Sequence, residues 1–545
     1  MLLHEWRDCC SALKRWSPDP LTKSRHILIL VALIAVGLAG IVSTYGTINS
    51  TSDEPAHVDS GMEVLQFGSY SYELQHPPLA RIAVALGPYW AGLREKSHRD
   101  VETEGFMTVF QDGNEILYSG DRYWRNLTLA RLGVLPFFVL LCVVTYAWAR
   151  DWFSPNAGLW AVVLLISTPP ILGHAGLATL DLACAATVTT ALYAFVRWLE
   201  RPGMSRAVWL GAAIAMACLV KFSSIPFMGA CFLVGVLWRR PRVKEVAVVA
   251  GTALVFLWAG YGFTVGALGP LWGAHPKIES LLNEHPALRP VWDAAMATQL
   301  PFPKLLLGMR DVVRHNGLGH GSYLLGEYRL TGWWYFFPVV VAVKTPIGLL
   351  LLALLGLFGL STWQQRVTAL FPLAILGVCL PSQIDLGVRH ILSVYPLLAI
   401  LGGGFVARRG FTLVPMALVV FAGADSLLAR PDYIAYFNQF AGSHPERILA
   451  ESDLDWGQDL DRLARRLREV DAKEVSLKYF GSALLEKAGL PTYWDLDAHK
   501  PAKEWVAISV HYFYLEHAKD GSFDWLKRYT PRERVGKSID LFYIE

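Results

Sequence analysis

"STYGTINSTSDEPAHVDSGMEVL", Ser43 to Leu65, begins at the end of a long apolar run and turns acidic at Asp53-Glu54. The run before it, from residue 27 to 47, carries no charged residue. It is long enough to cross a bilayer as a helix, which needs about 20 predominantly apolar residues. Ionisable groups are costly if they enter hydrocarbon and there usually mark a site, but at the edge of such a segment the pair reads equally well as part of a solvated loop. A second polar cluster, "ELQHPPLAR" (Glu73 to Arg81), follows within the same outer segment. The rest of the chain decides on which side of the membrane these groups lie and what they meet there.

The chain has 545 residues, 53% hydrophobic and 17% charged, with 20 Trp and 21 Tyr and a mean hydropathy of +0.35. Soluble domains carry about 25% charged residues, so this composition belongs to a polytopic membrane protein. Apolar runs predict eleven spans, at 27–47, 128–149, 157–173, 178–197, 206–220, 222–238, 245–266, 346–362, 367–381, 390–407 and 411–428. The net charge of +3 gives no sign of a nucleic-acid partner. Cys9 and Cys10 stand in the N-terminal tail, and the other five cysteines lie inside apolar runs, so no disulfide framework is expected. No small-residue cleavage site follows the first run, which reads as a retained helix and not as a cleaved leader.

Lys and Arg set the orientation. With the N-terminus inside, the inner segments hold sixteen of them, whereas the short outer loops hold Lys221 and Arg389 only. The expected organisation is a cytoplasmic tail at 1–26 and a transmembrane module at 27–428 with outer loops 48–127 and 267–345. An outward-facing soluble domain at 429–545 completes it. "PPLARIAVALGPYWAGL" (Pro77 to Leu93) and "WWYFFPVVVAVKT" (Trp333 to Thr345) suit helices lying at the interface. In the C-terminal part Leu460, Leu463, Leu467 and Val470 share one helical face, and "EVSLKYF", "EWVAISVHYFY" and "SIDLFYI" read as strands. That alternation predicts a small α/β unit.

In this topology three acids, Asp53, Glu54 and Asp181, and three cations, Lys221, Lys344 and Arg389, map to the outer face. His57, His76 and His390 lie beside them. Singly, each has a plainer reading. Lys221 could snorkel, Thr179 or Asp181 could cap a helix, as could Asp455 in "DLDWGQDL", and Arg389 could pair with Asp385. Jointly, carboxylates beside cations at a membrane surface suit group transfer from a lipid phosphate. A carboxylate takes the proton of the attacking hydroxyl, and cations hold the phosphate that leaves with the lipid. An outward-facing transferase has no access to nucleotide sugars, so its donor would be lipid-linked.

The Asp53-Glu54 pair, "HPPLAR", "TLDLA" (Thr179 to Ala183), "LVKFS" (Leu219 to Ser223), "GVRHILSVYPLL", "PDYIAYFNQFAG" and "DLDWGQDL" together resemble the GT-C glycosyltransferases. The likeness is to the protein O-mannosyltransferase group and its bacterial relatives, including the transferase that adds aminoarabinose to lipid A. The resemblance extends over about residues 25–465. It implies a polyprenyl-phosphate-linked hexose or pentose as donor, membrane lipid as surroundings, and a lipid, glycan or protein as acceptor. It implies Asp53 as general base, Glu54 in support or at the acceptor, and Asp181 as a second acidic group, and "GHGSYLLGE" (Gly319 to Glu327), part of the same likeness, adds His320, Tyr323 and Glu327 as substrate-binding candidates. Lys221, Arg389 and Lys344 would hold the donor phosphate. No cofactor is expected and no metal is favoured. The chain has no insertion that fits the β-trefoil domain of protein mannosyltransferases, which counts against a protein acceptor. A bacterial inner membrane is expected over an endoplasmic reticulum. A metal-dependent lipid-linked oligosaccharide transferase is the alternative reading; a transporter is further off, since no internal repeat occurs.

Overall fold

The structure is a computed structural model that describes residues 20–98, 105, 107–267, 269 and 276–545. Cys9, Cys10 and most of the expected cytoplasmic tail lie outside these residues.

A helix stands at each of the eleven apolar segments: Pro20–Val42, Leu135–Trp152, Pro155–Ile166, Asp181–Glu200, Met204–Val220, Ser224–Trp238, Val243–Gly260, Ile347–Gly356, Trp363–Cys379, Val394–Arg409 and Leu413–Ala429. Four are long and apolar enough to cross a membrane, counting Tyr123–Trp152 as one, and six if two bent pairs each count as a span. The expected eleven crossings thus exceed what helix length alone supports. For two of the segments the physical reason is proline. Pro169 and Pro170 start a new helix turned by 71° from Pro155–Ile166, and Pro346 separates Phe336–Lys344 from Ile347–Gly356 at 110°. Met204–Val220, Ser224–Trp238 and Leu413–Ala429 are apolar but shorter.

Asp181–Glu200 is the central helix, buried for most of its length and packed against Leu135–Trp152, Met204–Val220 and Ser224–Trp238. Pro20–Val42 and Val243–Gly260 are peripheral and expose Leu28, Val31, Val36, Leu254, Val255 and Phe256, an apolar surface suited to lipid. Small residues set the closest approaches. Val394–Arg409 carries Gly402-Gly403-Gly404 against Pro155–Ile166, where a Cβ on Gly403 would lie 2.5 Å from the Ala161 nitrogen. Helix starts follow local chemistry: Ser154 accepts from the Ala157 amide, and Thr362 with Gln365 forms a capping box.

The segments expected at the interface are both helical, Pro78–Trp90 and Phe336–Lys344. The long outer segment before Phe336 also holds helices Pro276–Glu284, Arg289–Ala297 and Pro303–Leu318. It takes part in two small antiparallel strand pairs as well, β1 (Val265–Ala267) with β2 (Gln299–Pro301) and the hairpin of β3 (Ser322–Leu324) with β4 (Glu327–Arg329).

The C-terminal unit is a mixed five-stranded sheet in the order β6-β5-β7-β9-β8. Its strands are β5 (Glu474–Lys478), β6 (Thr492–Asp495), β7 (Glu504–Ser509), β8 (Glu533–Val535) and β9 (Ile539–Ile544). β5 pairs parallel with β6 and β7, and β9 pairs antiparallel with β7 and β8. Helix Leu460–Glu469 covers one face through Leu463 and Leu467 on Val475, Leu477 and Leu541. Phe513, Phe523, Trp525 and Leu526 cover the other through Val506, Ile508 and Phe542. Backbone bonds stitch this unit to the first outer turn: Asn49 N donates to Gln458 O and Ser52 N to Trp456 O, both at 3.0 Å, and Asp461 N donates to Asn49 Oδ1.

Candidate active site

Helix Glu54–Phe67 starts where the first outer turn ends, and its first residues take two different roles. Glu54 is fully buried in a salt bridge with Arg131, 2.8 Å from Nε and 2.9 Å from Nη2. Its remaining capacity is filled by the amides of Thr51 and Ala178, each at 2.7 Å. Arg131 also donates to the carbonyls of Ile48 and Asn49. Glu54 therefore ties the first turn to the loop before Asp181 and has no free lone pair for a substrate. Asp53, one residue earlier, points the other way. Its Oδ2 accepts from Arg389 Nη1 at 2.7 Å, its side chain is 33% exposed, and Oδ1 has no hydrogen-bond partner among the described residues. The acidic pair thus divides into one anchor and one group facing a cleft.

That cleft holds about 310 Å³ and is lined by Ser52, Asp53, His320, Gly321, Tyr328 and Arg389 from the helical part, and by Glu451, Trp456, Phe480, His511, Leu515 and Glu516 from the C-terminal part. Arg389 stands in the 3₁₀ turn Val388–Ile391 and lies 4.4 Å over the Trp456 ring. Its Nε is buried without a partner. Burial lowers its basicity, but Asp53, Glu451 and Asp181 around it outweigh that and raise its pKa. Burial raises the Glu451 carboxyl above its usual range.

Behind the cleft, Lys221 Nζ meets Asp181 Oδ1 at 2.5 Å, both largely buried. His57 and His76 pack edge to face at 5.4 Å, and His76 Nδ1 contacts Glu73 at 2.8 Å. Glu73 is also paired with Arg81. Burial holds His57 well below the usual histidine range, and burial with the nearby Lys221 pushes His76 down to about 4. His320, linked to His315 at 3.3 Å, is lowered to about 4 by burial and by His315. His390 stacks on Phe337 at 6.4 Å and shares the field of Lys221, Arg389 and Asp181.

The structure therefore gathers Asp53, Asp181, Lys221, Arg389, His57, His76, His320 and His390 in one region. Three candidates stand apart from the cleft. Lys344 is fully buried and donates to the carbonyls of Ile434 and Asp453 at 2.8 and 2.6 Å, over the Phe437 ring. It is a strut between elements, not a lining cation. Tyr323 is buried with Leu454 and Leu515, and Glu327 is exposed and paired with Arg329. Asp385 does not pair with Arg389; it accepts from the Trp333 amide at 2.8 Å. Thr179 and Asp181 do not cap the central helix, whose cap position is Leu180, and Asp455 instead accepts from the amides of Gly457 and His511.

Sequence reasoning missed Glu451, Trp456, Tyr328, Phe480 and His511. Trp456 lies within the motif "DLDWGQDL" and Glu451 two residues before that motif begins, so only the assignment was wanting there. Phe480 and His511 follow strands of a unit read as separate. Among the described residues no group of three or more His, Cys, Asp or Glu gathers as a metal's ligand set.

Residues 125–260, about a quarter of the chain, match the profile of the family described as dolichyl-phosphate-mannose-protein mannosyltransferase. No curated protein sequence matches the chain. Among solved structures, the chain is similar to ArnT from Cupriavidus metallidurans bound to undecaprenyl phosphate, at 14% identity and a TM-score of 0.49, covering 94% of this chain and 97% of that one. It is also similar to the archaeal oligosaccharyltransferase AglB from Archaeoglobus fulgidus in complex with an inhibitory peptide and a dolichol-phosphate. There the identity is 12% and the TM-score 0.45, over 94% of this chain and 73% of that one. The chain resembles a GT-C glycosyltransferase of the protein mannosyltransferase kind, as its motifs imply.

Proposed function

We propose that the chain is an integral membrane glycosyltransferase that moves a sugar from a polyprenyl-phosphate carrier to an acceptor hydroxyl or amine on the outer face of the membrane. The observation that carries this reading is the Asp53–Arg389 pair at 2.7 Å, set in a cleft between the helical part and the C-terminal unit. The acceptor heteroatom attacks the anomeric carbon, the bond from that carbon to the phosphate oxygen breaks, and the carrier phosphate leaves with the bonding pair. Asp53 Oδ1 takes the acceptor's proton. Arg389 keeps Nη1 on Asp53 and offers Nε to a phosphate oxygen, so one planar group aligns base and leaving group. Lys221, held by Asp181, adds positive charge behind the phosphate. Glu54 acts by positioning Asp53.

Asp53→Asn tests this directly. The change keeps the side-chain shape and removes the base, and general-base catalysis contributes roughly 10²–10⁴ in rate. Transfer should fall by that factor while binding of undecaprenyl phosphate and the melting temperature persist. Near-normal turnover in the variant would remove Asp53 from the reaction.

A further inference from the structure

A second cleft of about 330 Å³ lies on the C-terminal unit, lined by Lys478, Asp495, Leu496, Asp497, Tyr512, Glu516, Ser522 and Phe523. Its position follows from the sheet topology. From the carboxyl end of β5 the chain turns outward to β6, and from that of β7 it turns the other way to β9. Ligands of open α/β sheets bind in the crevice outside the carboxyl ends of the strands at such a divergence. The residues found there are Lys478 at the end of β5, Phe480 just after it, and His511 and Tyr512 after β7. Phe480 and His511 stack in parallel at 3.7 Å and line the first cleft, whereas Lys478 and Tyr512 line the second. Glu516 lines both. The two clefts are thus neighbours on either side of one stacked pair.

The lining of the second cleft has its charges already matched. Lys478 pairs with Asp495 at 2.9 Å, Lys519 with Glu516 at 2.9 Å, and Lys500 approaches Asp497 at 3.6 Å. A polyanion would meet a paired carboxylate at every lysine, unlike at Arg389, whose Nε is unpartnered. What the cleft offers is the Lys478 ammonium over the Tyr512 ring at 5.5 Å, the carboxylates of Asp495, Asp497 and Glu516, and the Ser522 hydroxyl, hydrogen-bond donors and acceptors beside an aromatic side chain. This pattern matches a neutral polyhydroxyl chain, which presents hydroxyls at its edges and C–H groups on its faces.

We propose that this cleft binds a neutral glycan and carries the acceptor toward Asp53. The acceptor assignment rests on the transferase reading above; the glycan site itself does not.

The test uses the full-length protein in detergent, with maltohexaose and chitohexaose as neutral probes and a sulfated heparin hexasaccharide as the anionic one, read by saturation-transfer NMR. At least one neutral probe should bind more tightly than the sulfated one. Tyr512→Ala should weaken that binding by about tenfold or more, and Tyr512→Phe, which keeps the ring, should retain it. Undecaprenyl phosphate should bind Tyr512→Ala as it binds the unaltered protein, which also shows that the variant folds. Failure of both neutral probes, preference for the sulfated one, or equal binding by Tyr512→Ala would overturn the glycan site. Loss of undecaprenyl phosphate binding in the unaltered protein, with a neutral probe still bound, would overturn the transferase reading and the acceptor assignment and leave a glycan site standing.

Discussion

Asp53 and Glu54 are neighbours in the chain and opposites in environment, and their variants should separate accordingly. Glu54→Gln leaves Arg131 as an uncompensated charge in a site with no solvent access. Breaking one partner of a buried pair costs about 3–5 kcal/mol, so this variant should melt well below the unaltered protein or fail to accumulate. Asp53→Asn should melt near normally, because its carboxylate is a third exposed. Equal melting of Glu54→Gln and the unaltered protein would refute the anchoring role. Asp385 gives a pH-dependent case. Its Oδ2 accepts from Trp333 N, its Oδ1 is buried without a partner, and burial raises its pKa to about 7. A group whose pKa is higher folded than unfolded binds its proton preferentially in the folded state, so its stabilising effect is present at low pH and is lost as pH rises through about 7. Asp385→Asn, which keeps the acceptor for Trp333 and carries no charge, should match the unaltered protein at pH about 4, near the unfolded carboxyl's value, and melt increasingly higher than it between about 4 and 7, the gap then staying constant to pH about 9. A difference in melting temperature that stays flat between about 4 and 7 would show that Asp385 does not titrate there.

At the scale of elements, the contact between Val394–Arg409 and Pro155–Ile166 depends on glycine. Gly403→Ala would drive a methyl group into the Ala161 nitrogen and the Ala157 carbonyl, at 2.5 and 2.7 Å. Overpacking of this kind costs about 1–3 kcal/mol. The comparison is Gly377→Ala in Trp363–Cys379, where nothing lies within 4 Å of the new methyl group. Thermal melts in detergent should show a lowered midpoint for Gly403→Ala and none for Gly377→Ala; similar midpoints would mean the helices are not in this contact. Elements of this kind were legible in the sequence because helices and strands leave periodic apolar signals. The eleven helices, the helix at Leu460 and the strands β5, β7 and β9 all stand where apolar pattern puts them. Bends were less legible, because an apolar run reads the same across Pro346 whether or not the chain turns. In the site, Asp53, Asp181, Lys221 and Arg389 could be found as ionisable groups at the ends of apolar runs. Which carboxylate of the first pair is free could not, since Arg131 is 77 residues from Glu54 and nothing local marks it as its partner. Lys344 looked like Lys221 in sequence for the same reason: its carbonyl partners, Ile434 and Asp453, are brought to it only by the fold.

The whole molecule has two poles. The central helix begins at Asp181 and ends at Glu200, about 30 Å away at 1.5 Å per residue. The next helix, Met204–Val220, runs back, and Lys221 after it closes on Asp181 at 2.5 Å. The Asp53 cleft, Arg389 and the C-terminal unit share that pole. The opposite pole carries Arg197 paired with Asp151, then Arg201, Arg206, Arg239, Arg240, Arg242 and Lys244 around the helix ends. A basic pole facing the cytoplasm and a site pole facing outward is the arrangement the distribution of Lys and Arg favours. Cysteine labelling can test it cleanly, because the five cysteines among the described residues are buried and Cys9 and Cys10 can be changed to Ser. Single cysteines at Lys96, Leu288 and Lys473, all exposed, should react with a membrane-impermeant maleimide added to intact cells. A cysteine at Arg242, equally exposed, should react only after the membrane is permeabilised. Labelling at Arg242 in intact cells, with protection at Lys473, would turn the molecule over. The cleft would then face nucleotide sugars, and the argument for a lipid-linked donor would lose its basis.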